Sequence, residues 1–194
     1  MTIACIVEGH AEVEAVPLLL RRIKGVVAPG RALHLPRPIR IPGTRLRKRE
    51  GLRKAVTLAS KRTGENDAIL VLIDAEDDCP AQEGPRLLRE ARELRPDRRT
   101  RVVLAKHEYE AWFLAATASL RGERGFAPDA EIPPEPEAVR GAKEWMSARM
   151  EKPYSETIDQ PGFTGHIDLD QARAADSFDK LYREMDALLT RSSQ

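Results

Sequence analysis

Cysteine is nearly absent from the 194-residue chain: only Cys5 and Cys79 occur, and no CxxC pair is formed. Two cysteines exclude a disulfide framework and fit a reducing compartment. Long apolar runs are also missing. No stretch approaches the roughly 18 residues that a membrane helix needs. The apolar start Ile3–Val7 is too short for a signal peptide and lacks a basic flank. These absences predict a cytoplasmic protein that makes no use of a membrane. Net charge is +1, so global charge gives no argument for nucleic acid. No P-loop, GxGxxG or HExxH is present, which argues against nucleotide hydrolysis by this chain alone.

What is present is globular: 41% hydrophobic and 32% charged residues, in a length that fits a single domain over 1–194 with its own core. Short continuous apolar runs suit strands buried on both faces of a parallel sheet. Ile3–Val7, Ala68–Ile73 and Arg101–Ala105 are such runs. Between them, apolar residues recur at helical spacing over Glu12–Ile23, Gly51–Arg62, Pro85–Leu94 and Ala111–Ser119. Leu33–Ile41, interrupted by Pro36 and Pro38, reads as an edge strand. Gly122–Pro136 reads as a loop, Glu137–Met150 as a helix, Tyr154–Ile167 as irregular and Leu169–Leu189 as a final helical region. The order predicts an α/β fold, a mainly parallel sheet flanked by helices, with a helical C-terminal extension from about 120 to 194.

Three of these runs end in acid. The first ends at Glu8, the second at Asp74 with Glu76, Asp77 and Asp78 behind it, and the third just before Glu108 and Glu110. In a parallel sheet those ends open on one edge, where ligands gather. Clustered carboxylates repel unless a cation sits among them. An all-oxygen set favours Mg²⁺ or Mn²⁺ and suits phosphoryl chemistry. The plainer reading of such acids is a cap on the following helix, which suits Asp77 and Glu83.

At Ile6-Val7-Glu8-Gly9-His10-Ala11-Glu12 and Leu72-Ile73-Asp74-Ala75-Glu76-Asp77-Asp78 the chain resembles the Toprim superfamily, whose sheet is Rossmann-like. That resemblance implies a first-strand glutamate at Glu8 and a DxD-type pair at Asp74 and Glu76, with Glu76 standing where Asp is usual. Asp78 is an alternative to Glu76. The EGxxE form is similar to the nuclease branch, including the OLD-type nucleases, and adds Glu12 as a ligand. Nearly the whole chain is similar to the small bacterial DUF4276 proteins, through Glu8–Glu12, Asp74–Pro80, Glu108–Ala115, Asp159-Gln160 and Ser177-Phe178. This likeness adds Glu110 to the metal set. It also implies an ATPase partner in a phage-defence setting.

Other residues serve the same expectation. Lys106 after the third strand would steady a phosphate, and His107 has the chemistry of a general base. Trp112 and Phe113 read as core, His10 as an exposed turn residue and Cys79 as packing. Arg31–Lys54 holds nine Lys or Arg against one Glu. Its densest part, Arg45, Arg47, Lys48 and Arg49, is the expected phosphate-backbone contact, with few aromatics to stack bases. The expected function is a Mg²⁺- or Mn²⁺-dependent Toprim-like nuclease on DNA or RNA, as a monomer or homo-oligomer. Glu8, Asp74 and Lys106 would be catalytic, with Glu8, Glu12, Asp74, Glu76, Asp78 and Glu110 at the metal. A catalytically degenerate protein that docks on an ATPase is the alternative.

Overall fold

The computed structural model describes residues 1–190. Four strands form one sheet in the order β2-β1-β3-β4: β1 (Ile3–Val7), β2 (Ile39–Arg40), β3 (Ala68–Asp74) and β4 (Arg99–Ala105). All three pairings are parallel. The apolar runs dictate this result. Every residue of β1 is buried, as are the first six of β3, so both sheet faces need a cover of helices.

Alternate side chains feed two cores, because successive strand residues point to opposite faces. On one face Ile6, Ile69, Val71 and Ile73 pack with Leu52 and Val56 of α3 (Arg49–Ser60) and Leu87 of α4 (Pro80–Leu94). On the other, Cys5, Val7, Leu70 and Leu72 meet Leu19 and Ile23 of α1 (Glu12–Val27). The same core takes Trp112 from α5 (Ala111–Ala115) and Phe178 from the last described helix (Asp176–Thr190). Each such buried side chain contributes about 1.5–3 kcal/mol before chain entropy is subtracted. The layering is α/β and Rossmann-like, as the sequence predicts. Among the described residues, no helix is long and apolar enough to cross a membrane.

Several elements differ from their sequence reading. The edge strand expected over 33–41 shrinks to Ile39–Arg40 and one bridge, Thr2 to His34, because prolines at 36 and 38 supply no N–H. A single turn, α2 (Gly43–Leu46), follows it. Ala111–Ser119 divides at Ala116 into α5 and α6 (Thr117–Leu120). The helix expected over 137–150 is only α7 (Ala142–Ser147), since Gly141 in front of it holds φ at 70°. The segment read as irregular, 154–167, contains α8 (Glu156–His166) despite Pro161 and Gly162. Packing explains that reversal. α8 lies against α1, and Gly162 stands where an added Cβ would meet Arg124 Nε at 2.4 Å. The final helical region is two helices, α9 (Leu169–Ala172) and α10 (Asp176–Thr190). Cys79, expected to be a packing residue, is exposed at the entry to α4, because Pro80 at the first helical position turns the chain outward there.

Candidate metal centre at the carboxyl edge of the sheet

The ends of β1, β3 and β4 open together, as parallel strands require. A recess of about 380 Å³ lies there, lined among others by Glu8, Asp74, Glu76, His107, Glu108 and Lys143. Glu12 and Glu110 sit behind it, 2% and 0% exposed.

Glu8 leaves the end of β1 just before a tight turn. Glu12 shapes that turn: its Oε2 accepts the backbone N–H groups of Glu8 and Gly9, at 2.9 and 3.0 Å. Glu12 therefore acts first as an internal cap on the turn. Glu8 presses against α2, where a Cβ at Gly43 would lie 2.2 Å from its Oε2. Asp74 closes β3, with its register partner Ala105 at the end of β4. Glu110 begins the segment that becomes α5, and its Oε1 accepts bonds from Tyr154 Oη at 2.8 Å and Gln160 Nε2 at 3.1 Å.

The remaining oxygens are informative. Glu8 Oε2, Asp74 Oδ1, Glu108 Oε2 and Glu110 Oε2 are buried without a hydrogen-bond partner. Buried polar atoms are almost always paired, so four such oxygens around one recess mark it as a candidate site for a cation. Proton affinities agree. Burial, then the charges of Glu12, Glu110 and Glu8, holds Asp74 well above the usual carboxylate range. Burial likewise pushes Glu12 up to about 7. Glu8 and Glu110 are also raised, chiefly by burial.

One cation of the chain is already inside. Lys143 Nζ lies 3.4 Å from Glu156 Oε2, 3.9 Å from Glu110 Oε2 and 4.0 Å from Glu108 Oε2. Burial opposes its charge, yet Glu110, Glu156, Asp74 and Glu108 outweigh that and raise its pKa. The sequence offers little to find it. Lys143 follows a proline-rich stretch and belongs to a helix of six residues, too short for a periodic signal.

Two backbone conformations tighten the mouth. Glu76 and His107 hold φ at 53° and 59°, a region that costs non-glycine residues about 1–2 kcal/mol. They support each other. Glu76 N donates to His107 O at 3.0 Å, and His107 Nδ1 lies 2.6 Å from Glu76 O. A carbonyl only accepts, so Nδ1 carries the proton and a neutral ring keeps Nε2 as an acceptor.

Other expected site residues go elsewhere. Asp78 pairs with Arg47 at 3.0 Å, and Asp77 pairs with Arg140. Arg47 turns inward and also donates to Asp74 O at 2.6 Å. Arg49 pairs with Glu93 on the surface. Lys106 lines a separate cleft of about 400 Å³ with Cys79 and Ser177. Its backbone N donates to Ser177 Oγ at 3.2 Å, which ties that part of the chain to α10. Arg45 and Lys48 remain outward on a basic groove.

The donor set fits a hard divalent cation, being all oxygen. Among the described residues no three His, Cys, Asp or Glu side chains form a ready cage. Mg²⁺ does not require one, since it keeps several waters and takes only one or two carboxylates. A family model described as Domain of unknown function (DUF4276) matches residues 7–186. No curated protein and no solved structure matches.

Proposed function

We propose that this chain, which belongs to the DUF4276 family, is a Toprim-like phosphodiester hydrolase that uses Mg²⁺ or Mn²⁺ on nucleic acid. One observation carries the reading. Glu8 and Asp74 at two strand ends, and Glu110 on the segment after the third, carry buried oxygens without a hydrogen-bond partner. Lys143 answers part of that charge from 3.9 Å, and a divalent cation would answer the rest.

Glu8 and Asp74, which line the recess, would hold the ion together with waters, with Glu110 behind them and Glu76 at the mouth. The ion, when bound, supplies Lewis acidity toward a phosphoryl oxygen. The other tasks fall to the chain. Lys143 and Arg140, both on the wall of the recess, would balance charge on the phosphate. His107, on the wall of the recess, would accept a proton at Nε2. A water oxygen bonds to phosphorus, the ester P–O bond breaks, His107 takes the water's proton, and the leaving oxygen is protonated from solvent. Glu12 keeps the Glu8 turn rigid through two N–H bonds, and Arg47 fixes the carbonyl of Asp74.

The test is cleavage of labelled DNA and RNA with Mg²⁺ or Mn²⁺, comparing the wild type with Asp74→Ala. Activity should vanish in the variant and in chelator. Activity that persists in both would refute the reading. A second reading is a non-catalytic protein that docks on an ATPase. It is favoured by Lys143, which already balances the acids. Absence of any saturable Mn²⁺ binding would select it.

A further inference from the structure

We propose that the basic groove beside α2 binds an unpaired stretch of nucleic acid and delivers it to the acid recess. This inference rests on the hydrolase reading and narrows its substrate to single strands.

The groove has a volume of about 340 Å³ and is lined by Arg40, Arg45, Lys48 and Lys54 together with Ile41 and Pro42. Glu50 is its one acid, and it pairs with Lys54 at 2.7 Å. Among the described residues Arg40, Arg45 and Lys48 make no ion pair, and all three are exposed. The groove therefore presents a surplus of free positive charge, the general grip for phosphates. Arg47 and Arg49 do not share this role, being tied to Asp78 and Glu93.

Position links groove and recess. Arg40 pairs in register with Val7, the residue before Glu8, and Ile41 N donates to Val7 O at 2.9 Å. Two glycines then hold α2 between the two sites. A Cβ at Gly43 would stand 2.2 Å from Glu8 Oε2, and one at Gly51 would stand 2.0 Å from the backbone oxygen of Arg45. Side chains there would part α2 from the acid centre on one side and from α3 on the other.

Shape selects the strand. An unpaired nucleotide can place its phosphates on the cationic rim and its sugar or base on Ile41 and Pro42. A base within a duplex must first be unstacked, at a cost of a few kcal/mol. The lining holds no Asn, Gln or aromatic residue, so binding is expected to tolerate any sequence.

The test uses the full chain in EDTA, with anisotropy of a labelled oligothymidylate and of a hairpin duplex with equal phosphates. The single strand should bind about tenfold tighter or more, a difference of about 1.4 kcal/mol. Arg45→Ala and Lys48→Ala should each flatten the plot of log affinity against log salt by about 0.7. Arg49→Ala, outside the groove and tied to Glu93 on the surface, should leave that slope unchanged. Equal or tighter duplex binding, no single-strand binding, or unchanged slopes in Arg45→Ala and Lys48→Ala would each overturn the groove. Cleavage separates the two claims. A single strand that binds through Arg45 and Lys48 but is never cut with Mn²⁺ leaves the groove standing and refutes the hydrolase. A duplex bound and cut as well as the single strand does the reverse.

Discussion

Replacing Asp74 with Asn should make the metal-free protein more stable at pH 8. Asp74 is half-buried, its Oδ1 is buried without a hydrogen-bond partner, and Glu12, Glu110 and Glu8 all oppose its charge. Two like charges 4 Å apart repel by about 4 kcal/mol at an effective dielectric of about 20. Part of that is relieved by protonation. Glu12 shows the scale, since burial and then its neighbours lift it from 4.5 to about 7, which costs about 3 kcal/mol if the group is ionised. The sign follows from linkage. A carboxyl raised on folding adds stability below its unfolded pKa and loses it as pH rises through the folded value. The wild type should therefore weaken between pH 4.5 and 7. Asp74→Asn, with one charge fewer, should gain about 1–3 kcal/mol at pH 8, clearly less at pH 5, and nothing below the ordinary Asp value of 3.8. For a chain of this size the gain is about 2–4 °C in Tm per kcal/mol. Urea unfolding in EDTA at both pH values measures it. Added Mn²⁺ should reverse the order, because only the wild type gains from binding. An Asn variant equal to or less stable than the wild type at pH 8 in EDTA would refute the claim that these carboxylates strain the metal-free fold.

Gly43→Ala meets the flexible end of Glu8 at 2.2 Å, so calorimetry should show weaker Mn²⁺ binding, by about tenfold or more, with little change in Tm. Gly51→Ala meets backbone at 2.0 Å and should instead cost about 1–3 kcal/mol of stability by urea denaturation. Lys143→Met removes the counter-charge of Glu108, Glu110 and Glu156. Its thermal melts in EDTA should fall at pH 8 and recover toward the wild type near pH 5.

β1, β3 and β4 are legible because burial on both faces leaves no polar alternation to confuse the pattern. Glu8 and Asp74 stand out because a charge directly after such a run marks the strand end. Glu110 needed the resemblance, since Glu108 nearby carries the same chemistry. α8 was hidden because Pro161, Gly162 and Gly165 look like breakers. Only contact with α1 and Arg124 shows why small residues are wanted there. The basic cluster was legible as charge but not as direction. Which of Arg45, Arg47, Lys48 and Arg49 faces solvent depends on partners some thirty or more residues away, such as Asp78 for Arg47. Lys143 escaped for the same reason. Its meaning lies in three carboxylates on two other segments, Glu108 and Glu110 on one and Glu156 on the other.

The most direct test of the metal centre is anomalous density from crystals soaked in Mn²⁺ near pH 7.5. A peak bounded by Glu8, Asp74 and Glu110, with Lys143 drawn back from Glu110, is the predicted result. Density absent from that recess at millimolar Mn²⁺, with Lys143 still 3.9 Å from Glu110, would contradict it.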